Sequence, residues 1–148
     1  MGRILTEWPR RNYGCILADP AWPLRGGKTG KQGYSKTMSP DAQYPLMTVN
    51  QIADLRVKDI AMPDSHLWLW VPNGFLQQGL EVMQCWGFRY INNICWFKSD
   101  NLLGLGQYVR NKHELCLFGV RGRPPYAVDD EGKRITVLSA FQAPRRGH

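Results

Sequence analysis

The chain lacks any apolar run long enough to cross a bilayer, which as a helix takes about 20 residues. No long apolar stretch follows Met1-Gly2-Arg3-Ile4, so no secretory leader is expected and the protein reads as cytoplasmic. Acidic residues are few, 12 against 19 lysines and arginines, for a formal charge of +7. That balance suits a polyanionic partner such as nucleic acid, although excess positive charge also serves solubility. Cysteines are sparse too. Cys15, Cys85, Cys95 and Cys116 lie far apart and read as buried free thiols in a reducing compartment. His113 and Cys116 have a chelating spacing but no second close pair, so no metal site is expected. Two glycine signatures are missing as well. Gly26-Gly27-Lys28-Thr29 looks like the end of a phosphate-binding loop, but the glycine needed five residues before Gly27 is Trp22. No helix-forming segment follows it, which excludes that class of ATPase. The dinucleotide fingerprint is absent, which excludes a dehydrogenase of the Rossmann type.

What is present is a chain of 148 residues, 43% hydrophobic, enough for one domain with a core. It has no repeats and no low-complexity tract. Tyr13–Ala18 reads as a first strand. Residues 23–45 form a long loop rich in glycine, lysine and serine; a loop of that length is either functional or disordered. Thr48 caps a short helix with Ile52, Leu55 and Val57 as its apolar contacts. Residues 61–64 read as a turn and residues 66–71 as a central strand. Residues 75–86 form the clearest helix, with Phe75, Leu76, Leu80 and Met83 as its buried face. Gly79 weakens it in exchange for close packing, and Gly87 ends it as a left-handed cap. Residues 88–98 and 113–120 are further strands, and Ile135, Val137 and Leu138 mark a last short one. This order predicts parallel pairing across at least the first three strands, with a fourth free to run the other way.

Asp19-Pro20-Ala21-Trp22 directly follows the first strand, where an open α/β sheet binds ligands. The Asp19 carboxylate and the Pro20 carbonyl are two acceptors that can converge on one amine. Holding both hydrogens of an adenine amine favours tetrahedral geometry and charge build-up during attack, which is binding of the transition state. Trp22 can stack on a base. The alternative is a strand-end carboxylate capping a turn, with Trp22 covering core. Arg25, Lys28, Lys31 and Lys36 either meet a phosphate backbone or form a solvated loop. Arg10, Arg11, Arg145 and Arg146 touch phosphate or only water. Asn111 and His113, just before the fourth strand, suit positioning roles at a ligand crevice or form a bland turn. Glu114 would face away from His113 in an extended chain, which argues against a dyad. Burial explains most of Trp68, Trp70, Trp86, Trp96 and Phe97, which are not read as a base-stacking platform.

The text of the chain resembles a known family. Residues 16–22 (Ile-Leu-Ala-Asp-Pro-Ala-Trp), 67–71, 86–90 (Trp-Gly-Phe-Arg-Tyr), 96–98 (Trp-Phe-Lys), Leu105-Gly106 and 110–122 are similar in order and spacing to adenine-specific methyltransferases. That family is typified by the catalytic subunit of the eukaryotic messenger-RNA adenosine methyltransferase, with many bacterial and phage relatives. The likeness runs from about residue 13 to 148. It implies an α/β, Rossmann-like methyltransferase fold, a mostly parallel sheet flanked by helices, and S-adenosylmethionine as donor. By this likeness Asp19 and the Pro20 carbonyl hold the target amine, Trp22 stacks on the adenine, and Asp19 and His148 contact the donor. The methyl group would move by in-line displacement to a flipped or unpaired adenine, on DNA in preference to RNA.

The chain departs from the family pattern twice. Ala21 stands where the family has a second proline, which leaves the turn less rigid. Family members also continue past the region of residues 144–148 with a helix, a strand and loops that carry much of the donor site. Residues 1–148 are therefore expected to be a single, partial domain, incomplete on its C-terminal side. Its first strand would be an exposed edge, open to a protein partner that completes the fold.

Overall fold

Alternating apolar runs build a five-stranded sheet with helices packed on one face. The computed structural model describes residues 9, 11–23, 45–101, 108–135 and 139–145. Along the chain come β1 (Tyr13–Ala18), α1 (Val49–Ala53), α2 (Val57–Ile60), β2 (Ala61–Val71), a 3-10 turn (Asn73–Phe75) and α3 (Leu76–Cys85). Then come β3 (Arg89–Lys98), β4 (His113–Arg121) and β5 (Ala140–Ala143). The spatial order is β1-β2-β4-β3-β5.

β1 pairs with β2 and β3 with β5 in parallel, while β4 runs antiparallel to both β2 and β3. So β1, β2, β3 and β5 point one way and β4 alone opposes them. The expected parallel pairing holds for β1 with β2 but not for β3, which runs the same way yet pairs with the antiparallel β4 that separates it from β2. β1 forms one edge of the sheet, and nothing pairs with its outer side among the described residues.

The local chemistry explains most boundaries. Thr48 Oγ1 accepts the Gln51 N–H at 3.2 Å, and Gln51 Oε1 accepts the Thr48 N–H at 2.8 Å, a reciprocal cap that starts α1. At the end of α3 the Gly87 N–H reaches Gln84 O at 2.9 Å and the Phe88 N–H reaches Met83 O at 3.1 Å. Gly87 has φ +83°, the left-handed residue this termination needs.

Residues 61–64 are not a separate turn but the start of β2, and the reason is a bulge. Tyr13 pairs with Ala61 and Cys15 with His66, so Met62 to Ser65 have no partner on β1, and pairing with β4 begins only at Ser65. Pro63 sits where neither ladder requires its missing N–H. The last strand is Ala140–Ala143, later than the segment around Ile135; Val137 and Leu138 lie outside the described residues.

The core is Trp22, Ile52, Val57, Leu67, Leu69, Val71, Val82, Met83, Trp86, Phe88 and Leu117, between α1, α3 and one sheet face. The buried stripe of α3 is Gly79, Val82 and Met83; the expected Leu76 and Leu80 are instead 39% and 37% exposed. Gly79 sets that rotation. A Cβ there would stand 2.7 Å from both methyls of Val71, so only glycine lets α3 lie this close to β2. Gly79→Ala should therefore cost about 1–2 kcal/mol, overpacking outweighing the roughly 1 kcal/mol of helix propensity gained. Val71→Ala should be less damaging in that background than in the wild type, a coupling that chemical denaturation of the four proteins would read.

Alternation sends His66, Trp68 and Trp70 to the other face, where they are only half-buried. Trp68 lies 4.4 Å from Phe118, Trp70 meets Trp96 edge-on at 6.2 Å, and Trp96 stacks parallel on Phe141 at 6.2 Å. Most of Trp68, Trp70, Trp86, Trp96 and Phe97 are expected to be buried, yet only Trp86 is fully so, and Phe97 is exposed. The thiols divide likewise. Cys116 is buried and Cys95 half-buried, while Cys15 and Cys85 are exposed, Cys15 because it alternates onto this second face of edge strand β1.

Candidate functional site

The strand directions bring two separate sequence motifs to one end of the sheet. The C-terminal ends of β1 and β2 meet the N-terminal end of β4, since Ala18 pairs with Leu69 and Val71 with Leu115. Asp19-Pro20 leaves β1 there, and Asn111 to Glu114 enters β4 there. Asn73 Nδ2 donates to His113 O at 2.8 Å and ties the exit of β2 to the entry of β4.

The turn after β1 is fixed by hydrogen bonds rather than by a second proline ring. The Trp22 N–H donates to Pro20 O at 2.8 Å, the Met47 N–H to Ala21 O at 2.8 Å, and Trp22 Nε1–H to Trp70 O at 2.9 Å. One lone pair of the Pro20 carbonyl is thus used inside the turn, and a second remains for a ligand. Trp22 is 3% exposed and packs 5.8 Å from the Phe75 ring. In this arrangement it is a core residue with almost no surface for a base, as in the alternative reading of its sequence position. What it offers the site is a fixed turn.

Asp19 reaches solvent, yet its carboxyl is partly desolvated. Burial pushes its pKa above the usual carboxylate range, and the negative charge of Glu114 adds to the shift. Across β2, the Cys116 thiol is pushed up to about 11, first by burial and then by the charge of Asp19. Asp19 makes no ion pair among the described residues. A carboxylate in that state gains from any N–H donor that approaches it.

His113 pairs with Phe97, on the opposite sheet face from Glu114, which pairs with Trp96. Glu114 shares its face with Cys116 and holds Lys98 Nζ in an ion pair. Among the described residues Glu114 is thus the charged group whose field reaches Asp19, and Lys98 is paired with it; sequence position alone points to Asn111 and His113. Alternation along the sequence shows only that Glu114 and His113 face opposite ways; that Glu114 is the one on the face of Trp96 and Lys98 follows from the β3–β4 register. Asn111 is half-buried just ahead of β4. Arg25, Lys28, Lys31, Lys36, Arg10, Arg146 and His148 lie outside the described residues. Arg145 is engaged with Asp100, its N–H donating to Oδ2 at 3.0 Å and its guanidinium pairing with Oδ1, which pins β5 to the end of β3. No group of three or more metal-ligating side chains occurs among the described residues, and no described helix is long and apolar enough to cross a membrane.

Comparison with known proteins places this geometry. The MT-A70 family profile matches residues 13–148. Human "N(6)-adenosine-methyltransferase catalytic subunit METTL3" is 24% identical over 118 residues, covering 76% of this chain and 18% of that protein. The Arabidopsis thaliana "N6-adenosine-methyltransferase non-catalytic subunit MTB" is 31% identical over 119 residues, 74% of this chain and 14% of that protein. "Type II methyltransferase M.MunI" of Mycoplasma sp is 22% identical over 136 residues, 84% of this chain and 58% of that protein. The chain thus spans under a fifth of the human and plant proteins and a little over half of the mycoplasmal one. The family match begins at the first residue of β1 and takes in the Asp19 turn and every later strand, so the chain belongs to the MT-A70 family and its sheet is of the α/β methyltransferase kind.

Proposed function

We propose that this chain is the acceptor-holding part of an adenine-N6 methyltransferase acting on nucleic acid, DNA in preference to RNA. One observation carries the reading: a partly desolvated carboxylate, Asp19, without an ion-pair partner among the described residues, stands beside a carbonyl with a spare lone pair at the mouth of the sheet. Asp19 accepts one hydrogen of the target amine and Pro20 O the other. Both bonds strengthen as the nitrogen becomes tetrahedral and gains positive charge, so they favour the transition state over the ground state. The base must be unpaired or flipped to reach the mouth.

A carboxylate at the strand ends with no ion pair among the described residues also fits a donor that carries N–H or O–H groups, and Asp19, with His148, is the residue we assign to holding S-adenosylmethionine. When bound, that group supplies a methyl on a sulfonium centre, transferred by direct in-line displacement. Asn111 and His113 position the base, and Arg25, Lys28, Lys31 and Lys36 meet backbone phosphates. The setting is cytoplasmic.

A second reading is a non-catalytic module that binds nucleic acid or pairs with a protein that completes its sheet. The outer edge of β1 favours it: Leu17 is 70% exposed on a strand with no charge or proline to protect it. Calorimetry of S-adenosylmethionine with the purified 148-residue chain, with and without adenine-containing DNA, separates the two. Saturable binding, followed by methyl transfer that Asp19→Ala removes, is the expected result. Absence of binding by a folded chain would leave the non-catalytic module as the better account.

A further inference from the structure

Lys98 and Glu114 have no part in the reading above, yet their arrangement is specific. Lys98 is 9% exposed, and burying an ammonium is costly unless it is held. It is held twice, by an ion pair to Glu114 and by the Trp96 ring, whose centroid lies 5.0 Å from Nζ. Its backbone is fixed as well. The Lys98 N–H donates to Lys112 O at 2.9 Å, the next N–H, of Ser99, to Ala143 O at 3.1 Å, and Trp96 Nε1–H to the same carbonyl at 2.9 Å. An anchored cation of this kind fixes the place of its carboxylate partner.

That place is beside the acceptor site. Asp19 follows Ala18, the partner of Leu69, and so stands next to Trp70; across Trp70 stands Cys116, and Glu114 lies two residues earlier on the same face as Cys116. Two carboxylates therefore stand at one end of the sheet on either side of β2, Asp19 just past β1 and Glu114 within β4. Among the described residues the groups coupled electrostatically to Asp19 are Glu114 and Cys116 from β4, with Lys98 from β3 paired to Glu114; Arg110 and Lys112 lead into β4 at the same end, where β2 runs through Trp70 into Pro72.

We propose that Lys98 and Glu114 are a positioning pair for Asp19: the buried ammonium pins the Glu114 carboxylate at the sheet mouth, and the charge of Glu114, partly neutralised by Lys98, sets how readily Asp19 becomes an anion. The functional meaning rests on the reading of Asp19 as the amine acceptor; the coupling itself does not. The direction of the Asp19 shift agrees, since Glu114 adds to it.

The pair makes opposite predictions for its two members. Glu114→Gln keeps an acceptor for Lys98 but removes the charge, so the titration midpoint of Asp19 should fall. Lys98→Met leaves Glu114 unneutralised, so the midpoint should rise. In the double variant it should fall again, as in Glu114→Gln alone. The measurement is carboxyl-carbon NMR of the ¹³C-labelled 148-residue chain, with the Asp19 signal assigned by its disappearance in Asp19→Asn. An unmoved midpoint in Glu114→Gln, or shifts of one sign in both single variants, overturns the proposal. If Lys98→Met does not fold, Glu114→Gln still decides the matter, and Glu114→Asp should return the midpoint toward the wild-type value. Opposed shifts in a chain that transfers no methyl group would keep the pair and remove the acceptor reading. Transfer without shifts would do the reverse.

Discussion

Asp19→Asn should lower methyl transfer by about 10²–10³-fold, the usual cost of removing one group aimed at the transition state. It should also make the folded chain more stable near neutral pH. Asparagine keeps a carbonyl oxygen at the same place, so weak amine binding survives, but the negative charge that answers the developing positive nitrogen is gone. The stability effect follows from linkage. Burial, and then Glu114, raise the pKa of Asp19 in the folded chain. The native state therefore holds this proton more tightly than the unfolded chain does. The stability that this contributes is complete below the unfolded pKa and is lost as pH rises through the folded one. Asparagine removes that loss. Thermal denaturation should place the variant above the wild type near neutral pH, with the gap closing under acid, while transfer is scored with tritiated donor. Undiminished transfer would remove Asp19 from the acceptor role. A lower melting temperature near neutral pH would show that the carboxylate is held, not strained. A site that weakens the fold it belongs to is the ordinary signature of function.

Much of the fold around this site was legible because it depends on local rules. A strand ending on Asp-Pro at the mouth of an α/β sheet, a threonine just ahead of a short helix, and a glycine after an amphipathic run each carry their meaning within a few residues. β1, the α1 cap and the Gly87 terminus are found where those rules put them. The parts that were not legible depend on partners distant in sequence. The rotation of α3 is decided by Gly79 meeting Val71. β5 has a weak pattern of its own and is held by Trp96 and Asp100, 47 and 45 residues from their partners Ala143 and Arg145. β2 absorbs a proline because a bulge opens its ladder to β1 at that point and pairing with β4 begins only at Ser65. Glu114 was passed over for a similar reason. Alternation showed that it and His113 face opposite ways, but which face holds Asp19 follows only from the order of strands across the sheet.

Trp22→Ala should unfold much of what the acceptor turn depends on, at a cost of about 3–5 kcal/mol, as for other buried aromatic truncations. In a chain of this size that lowers Tm by roughly 10 °C or more. The indole is almost fully buried, lies against Phe75 and belongs to the same core as Ile52, Leu69 and Val71. Its N–H also satisfies Trp70 O, and a buried carbonyl left without a donor adds about 1–3 kcal/mol. Trp22→Phe separates the two contributions, because it retains most of the packing and loses the hydrogen bond. It should fall between the wild type and Trp22→Ala in Tm. A stacking residue would behave otherwise: alanine would leave Tm unchanged and weaken binding of adenine-containing DNA, and phenylalanine would restore that binding. The core role predicts that binding follows stability, with Trp22→Phe losing in both. The consequence reaches Asp19 through three residues of backbone. The Trp22 N–H closes on Pro20 O, and the ring carries that turn against β2, so the direction of the acceptor carboxylate is set by a side chain that does not itself touch the ligand.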